Sequence, residues 1–413
     1  MNKHALSFIL ASLLLLPTTT WAGPNEDLGK GMAEGKSALV EKAILQGANP
    51  NQVLAIHFDT WTPLIWASKW GNLKLVKLLL AKGANPNNRG SHERTAVMIA
   101  AENGHLDIVK LLIDQGADLN AIDGYGATAL MFAALSGHLE LVNMLLDKGL
   151  DPNAQTIGGT TALMGASALG HADVVKRLLA KGAEPQAKTS NGQTALILSA
   201  TAGHVKVMHL LLDQGADLNA ATWSGETALM EAAKNGHFEV VRGLLEKGAD
   251  LSTQSEVETT ALMLAAYGGY LDIVQLLLDK LQANHSKHIS DALIYAAYGG
   301  HLELVKWLLI EKGADPKSKD KNGTTALMVS VEILGRPNLD ITKLLIEKGA
   351  DPHAQNNDGQ TALDIAKKNG HEAAVNYLKN LKAVLSVSNS DLIRSFGLAP
   401  LSSNSFTTFN SPL

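Results

Sequence analysis

Seven histidines recur along this chain, each directly after a glycine. Imidazole groups in a regular array could bind metal ions or sense pH near neutrality. Five of them are spaced by 33 residues, so they would occupy equivalent places in stacked units about 10 Å apart. A zinc ion needs its ligand nitrogens within about 2.1 Å, so this array is predicted to be structural. The histidines are His105, His138, His171, His204, His237, His301 and His371.

Acidic residues recur in the same phase, in a Gly-Ala-Asp pattern or a close variant of it. Because turns and a helix end surround them, they are predicted to form turns, and no two are spaced as an acid–base pair. Nucleotide-binding, zinc-protease and serine-hydrolase motifs are absent from the sequence. The chain has no Cys, which excludes a thiolate nucleophile and a Cys-ligated metal. No cofactor or metal is expected. The acids are Asp118, Asp151, Asp217, Asp250, Asp315 and Asp351.

The elements that carry these residues form a repeat. In the unit that begins at Thr95, this Thr is predicted to cap a short apolar helix that ends at Gly104. A second, amphipathic helix follows and ends at Gly116, and residues 123–126 are typical of a hairpin tip. The start of each unit follows the previous one at a nearly fixed period, which indicates an array of stacked units. Units begin at Thr62, Thr95, Thr128, Thr161, Thr194, Thr227, Thr260, Asp291, Thr325 and Thr361, behind a degenerate first unit.

This pattern resembles the ankyrin repeat, whose signature is T-P-L-H-x-A with a period of about 33 residues. The resemblance extends from about Asn25 to Leu381, and it implies an all-α fold, an α-solenoid of about eleven helix-turn-helix units with short β-hairpin loops. There are departures. Ala replaces the family's Pro except at Pro63, and the unit before Asp291 is shortened. Residues 335–338 are inserted between two helices, where a longer loop is expected.

The resemblance also implies a binding surface. Ankyrin proteins contact partners along a concave face, through the hairpin tips and the end of the first helix. The alternative is that the side chains at these positions pack between units. Trp66 and Tyr295, one turn earlier, are assigned to the core. The predicted partner-binding residues are Trp61, Trp70, Arg94, Tyr125, Leu135, Leu169, Trp223, Tyr267 and Tyr298.

The two ends of the chain differ from the repeats. Residues 1–22 have the n-region, apolar run and small-residue ending of a secretory signal peptide, with cleavage expected after Ala22. The run is too short to span a bilayer, and no other stretch is a candidate membrane span. Residues 23–382 are predicted to be the repeat domain. Residues 383–413 break the period and are predicted to be a disordered tail.

These observations favour a periplasmic or secreted scaffold that binds a partner protein and does no chemistry, and that is expected to be monomeric. The net charge of −5 argues against nucleic acid as a partner, since that interaction requires basic residues. Two alternatives remain: an exported effector that binds a host protein, and an enzyme with an unrecognised site. The sequence does not identify the partner.

Overall fold

The structure is a computed structural model that describes residues 23–281, 285–332 and 338–381. The predicted signal peptide, the predicted tail and Gly335, Arg336 and Pro337 of the insertion lie outside these residues. The chain forms two compact units, whose boundary falls within two consecutive helices. The first unit contains residues up to Ala232 and Arg242–Asp250, and the second contains Ala233–Val241 and the residues from Leu251 onward.

The first unit is built from helix pairs. In each pair after the first, a short helix is followed by a longer one, and one β-hairpin lies near the beginning. Its elements are α1 Pro24–Ala33, α2 Ser37–Leu45, β1 Leu54–Ile56, β2 Asp59–Trp61, α3 Pro63–Lys69, α4 Leu73–Ala81, a 3-10 turn at Ser91–Glu93, α5 Ala96–Glu102, α6 Leu106–Asp114, α7 Ala129–Leu135, α8 Leu139–Asp147, α9 Ala162–Ala168, α10 Ala172–Ala180, α11 Ala195–Thr201 and α12 Val205–Asp213. The unit boundary falls within α13 Ala228–Lys234 and α14 Phe238–Glu246.

The second unit continues the same alternation, with one much longer helix. Its further helices are α15 Ala261–Gly268, α16 Leu271–Lys280, α17 His285–Gly299, α18 Leu302–Ile310, α19 Ala326–Ser330, α20 Leu339–Glu347, α21 Ala362–Lys368 and α22, residues 372–381. The prediction of an all-α repeat fold is confirmed. No helix among the described residues is both long and apolar enough to cross a membrane.

The first and second helices of a repeat unit differ in burial. In α5 every residue from Ala96 to Ala101 is buried, because neighbouring first helices cover it from both sides. In α6 only Ile108, Val109 and Leu112 are buried, at helical spacing, while Lys110 is exposed. The apolar wall and the amphipathic second helix predicted from the sequence are thus both present, and together they form the core.

Threonine begins most of the first helices. Thr128 Oγ1 accepts a hydrogen bond from the Met131 N–H at 3.3 Å, and the same bond recurs in the other Thr-led units except one. Thr361 adds a capping box with Asp364. The exception is Thr95, whose side chain makes no cap hydrogen bond. The predicted cap at Thr95 is therefore wrong, although the cap rule holds for its equivalents.

The loops contain less β-structure than the family resemblance implied. Within the described residues, β1 and β2 form the only two-stranded ladder, and the bridges Ala221–Thr227 and Lys319–Thr325 are isolated. The other loops are closed turns: Asp123 N–H donates to the Ala127 carbonyl at 2.9 Å. Several of their tips donate to the tip of the preceding loop, as the Ile157 N–H does to the Tyr125 carbonyl at 2.9 Å.

The shortened unit departs furthest from the pattern. Helix α17 has 15 residues and begins at His285, ahead of Asp291. Asp291 therefore lies inside a helix and does not begin one, contrary to the prediction. Burial raises the pKa of its carboxyl group. Helix α17 replaces the loop that would precede Asp291. The loops before and after that place contact each other, since Lys321 Nζ lies 2.8 Å from Glu258 Oε2.

Candidate protein-binding surface

The histidine array is part of the packing between neighbouring repeat units. His105 Nε2 lies 3.1 Å from the Lys69 carbonyl oxygen, at the end of the first helix of the preceding unit. His138, His171, His204 and His301 make the equivalent contact, at 2.8–3.1 Å. Each ring thus satisfies a carbonyl that the helix end leaves free, which supports the structural interpretation. Among the described residues, no group of three His, Asp or Glu side chains is arranged to hold a metal ion.

The recurrent acids form turns, as predicted. Asp118 Oδ1 accepts the Asn120 N–H at 2.9 Å, and Asp151, Asp217, Asp315 and Asp351 make the same local bond. A second recurrent group was not singled out from the sequence. Asn87 Nδ2 donates to the Gly116 carbonyl at 3.0 Å, and its Oδ1 accepts the Asp118 N–H at 2.7 Å. This side-chain amide therefore joins adjacent units, and its regular recurrence was the available signal.

Seven of the nine predicted partner-binding residues carry exposed side chains, and all seven are large apolar or aromatic residues. Trp70 and Trp223 are the most exposed, at 62% and 64%. The other five exposed residues are Tyr125, Leu135, Leu169, Tyr267 and Tyr298. Trp61 and Arg94 are half-buried. We call these nine residues the tip surface, because each lies in or beside a loop tip or at the end of a first helix. Tyr267 and Tyr298 belong to the second unit and the others to the first.

The structure brings some members of the tip surface together. Tyr267 and Tyr298 have ring centroids 5.5 Å apart, with the rings tilted by 47°. Tyr125 lies against the ring of His92, at 5.6 Å between centroids. Aromatic pairs at this distance present a combined apolar surface with a preferred geometry.

Trp61 and Arg94 line one cavity of about 580 Å³, which we call the first cleft. It lies between the hairpin tip before α3 and the loop before α5. Volumes of this size are typical of sites that bind small molecules or short peptide segments. Its other lining residues are Asp59, Thr60, Ile65, Lys69, Gly90, Ser91, His92, Ile99, Glu102 and Asn103.

Arg94 forms one wall of the first cleft and is held by contacts within the chain. Its guanidinium carbon lies 4.2 Å from the centroid of the Phe132 ring. Nη1 is 3.0 Å from Glu102 Oε2, and Nε is 3.7 Å from a buried carboxylate oxygen of Asp123. These contacts fix the guanidinium plane and compensate its charge, so Arg94 shapes the cleft more than it offers a free cation.

Lys69 is held differently, by aromatic rings. Its ammonium nitrogen lies 4.7 Å from the Trp61 ring centroid and 5.8 Å from that of Trp70. Both distances fall within the range of cation–π attraction. The cation therefore lies close to two tryptophan side chains, both of which are predicted to be on the binding surface.

A family model for ankyrin repeats, described as three copies, matches overlapping segments that span most of the chain. The segments are 30–123, 83–156, 118–189, 163–255, 252–320 and 293–389. The chain belongs to the ankyrin repeat family. Ankyrin repeat proteins are typically non-enzymatic scaffolds that bind other proteins. No curated protein matches this ankyrin chain.

Seven further large apolar residues in the described part of this ankyrin array are exposed but are not predicted from the sequence, and three of them lie at loop tips. Phe58 is fully exposed at the turn of the β-hairpin, and both it and His57 adopt positive φ, at 74° and 50°. Ile157 and Val257 stand exposed at two further loop tips. Alignment of the loops would have found them, since Ile157 occupies the same loop position as Trp223.

The equivalent ankyrin cleft near the end of the array has a different lining. It encloses about 360 Å³ beside α21, and its lining includes Asn356, Asn357, Gln360 and Lys368 but no aromatic residue. In this cleft Thr324 and Glu332 stand in the places of Trp61 and Lys69, and Gln360 and Lys368 stand in those of Arg94 and Glu102. The two clefts therefore share a backbone plan and differ in their side chains.

Proposed function

We propose that this ankyrin repeat protein binds another protein through the tip surface. The observation that carries the proposal is the exposure of seven large apolar or aromatic side chains, all at the ends of first helices or at loop tips. Trp and Tyr dominate the binding energy of protein interfaces, because they bury a large area with few rotatable bonds. Exposed apolar side chains that recur at equivalent positions favour an interaction surface over scattered exposure.

The test is affinity capture with a matched control. The purified chain and the variant Trp70→Ala/Tyr125→Ala/Leu169→Ala are immobilised and exposed to a cell-envelope extract of the source organism. We expect at least one protein whose recovery falls about tenfold or more with the triple variant, since a single hot-spot side chain contributes about 2 kcal/mol. Circular dichroism must show that both proteins have the same helix content.

Ile310→Ala is the control, because Ile310 is 57% exposed but lies at the end of a second helix. Recovery of the partner should be unchanged by this substitution. The proposal fails if Ile310→Ala reduces recovery as much as the triple variant does. It also fails if no captured protein depends on the three tip-surface residues.

We further propose that the chain acts in the periplasm, as a monomer from which the segment Met1–Ala22 has been removed. The sequence of this segment supports the export step, because it has the three regions of a signal peptide. The intact mass of protein recovered from the periplasm should correspond to cleavage after Ala22, and a mass that includes Met1 would contradict it.

Fractionation of cells into periplasm and medium separates a periplasmic scaffold from an exported effector. Light scattering of the purified protein gives the oligomeric state.

A further inference from the structure

The charged groups of the first cleft differ in whether they have an ion-pair partner. Arg94 and Glu102 compensate each other across 3.0 Å. Among the residues that the structure describes, neither Lys69 nor Asp59 has an ion-pair partner, although both line the cleft. Lys69 is only half-exposed, and its contacts are the two tryptophan rings. A cation that has lost part of its hydration and has no counter-ion is poised to bind an anion.

The tryptophans determine which ligand charge the first cleft can accept. A cationic ligand group would seek the faces of Trp61 and Trp70, but the Lys69 ammonium group already lies against them. Such a group would meet repulsion from Lys69 as well. A carboxylate, in contrast, approaches Lys69 from the open side and leaves the ring edges free for an apolar neighbour. At Lys69, charge complementarity therefore favours an acidic group of the ligand.

We propose that the first cleft binds an extended peptide segment of the partner that combines an acidic side chain with apolar neighbours. The carboxylate pairs with the Lys69 ammonium, and the adjacent apolar side chains pack against Trp61 and Trp70. Asp59, which directly follows the hairpin turn, is free to accept a backbone N–H from the segment. This inference rests on the proposed function, since it names the part of the partner that the tip surface recognises.

The shape of the cleft favours a segment of polypeptide. A volume of about 580 Å³ holds a few side chains, and the cleft lies between two loops at the surface. Phe58, fully exposed on the same hairpin as Asp59, can extend the contact along the peptide.

Three blocked pentapeptides provide the probes: Leu-Glu-Phe-Glu-Leu, and the same sequence with both Glu replaced by Gln or by Lys. Each is titrated into the full chain labelled with ¹⁵N-tryptophan, and the indole signals of Trp61 and Trp70 are assigned with Trp61→Phe and Trp70→Phe. We expect the Glu peptide to shift both indole signals. It should bind about tenfold more tightly than the Gln peptide, which corresponds to about 1.4 kcal/mol. The Lys peptide should bind most weakly.

Two matched variants assign the preference to one cation. Lys69→Gln should reduce the affinity for the Glu peptide to that for the Gln peptide, about tenfold. Lys368→Gln removes a cation that also ends a first helix but lines the cleft that has no tryptophan, and it should leave the affinity unchanged. Equal affinities for the three peptides, tighter binding of the Lys peptide, or equal effects of the two Lys variants would overturn the inference, as would unshifted indole signals.

Capture of the partner separates this inference from the function on which it rests. If the triple tip-surface variant loses the partner but Lys69→Gln retains it fully, the scaffold function stands and the acidic-segment inference is wrong. If neither variant changes capture, the proposed binding surface itself is wrong.

Discussion

Thr95 and Thr128 occupy the same position in neighbouring repeats, but their hydroxyl groups differ in hydrogen bonding. Thr128 Oγ1 caps α7, while Thr95 Oγ1 is buried and has no hydrogen-bond partner among the described residues. We expect Thr128→Val to lower the free energy of unfolding by about 1 kcal/mol, the usual value of an N-cap. Thr95→Val should cost nothing or stabilise the protein, because it removes an unsatisfied buried hydroxyl group. Chemical denaturation measures both, and an equal loss would show that Thr95 does cap its helix.

Trp66 in α3 and Trp70 directly after it are one helical turn apart, and they differ in burial. Trp66 is 5% exposed, whereas Trp70 projects into solvent. Trp66→Ala should lower the free energy of unfolding by about 3–5 kcal/mol, because it leaves a cavity in the core. Trp70→Ala should cost far less, and thermal denaturation compares the two. Similar losses would mean that Trp70 serves packing. The second core assignment, Tyr295, is only half-buried.

At the level of the helices, a glycine after the first helix of one repeat unit is in close contact with the histidine of the next repeat unit. Gly71 has a φ of 67°, and a Cβ atom built on it would lie 2.5 Å from Cε1 of His105 in the next unit. Gly83 has a φ of 86° and no atom within 4 Å of such a Cβ. Gly83→Ala should therefore cost only the backbone strain of about 1–2 kcal/mol. Gly71→Ala should cost about 1–3 kcal/mol more, because the methyl group overpacks the interface.

The His105→Ala background supplies the control for this comparison. Without the ring, the two Gly→Ala substitutions should have the same cost, as measured by chemical denaturation. A difference that persists in this background would show that His105 is not the source of the extra loss.

The long helix α17 gives a pH-dependent expectation. Burial raises the pKa of the Asp291 carboxyl group, so the folded state holds its proton more tightly than the unfolded state. Stability should fall as the pH rises through this raised pKa, because ionisation is less favourable in the folded chain. Lys287 and His288 lower this pKa, and Asp320 raises it further. Asp291→Asn should raise the melting temperature at pH 7 and have little effect near pH 3. A larger gain at pH 3 than at pH 7 would contradict this.

At the scale of the whole molecule, the repeat array is expected to be stable without the segment that follows it. Residues 383–413 lie outside the described residues, and their sequence breaks the repeat period. Truncation after Lys382 should leave the melting temperature nearly unchanged, since surface changes usually stay within about 0.5 kcal/mol. Differential scanning calorimetry of the two proteins checks this. A loss several times larger than that would show that the segment packs on the repeats.

Features that depend on neighbours along the chain could be predicted from the sequence. Apolar spacing placed the two helices of each repeat, and glycine marked their ends, because these properties follow from local geometry and burial. The family resemblance, carried over position by position, indicated the seven residues of the tip surface that are exposed, such as Trp70 and Trp223. The family resemblance, carried by the repeated Thr-Ala-Leu pattern, determined the fold class.

The folded structure was needed for features that depend on contacts formed by folding. In the structure, Glu102 and Asp123 compensate the charge of Arg94. Lys69 instead contacts two tryptophan rings and, within the described part of the chain, has no counter-ion. Helix α17 also begins before Asp291, where the sequence had suggested the start of a helix, and it occupies the place of a loop. Arg94 and Glu102 lie 8 residues apart, and Asp123 belongs to the next loop, so these contacts depend on how the loops fold and stack and are invisible in a local pattern.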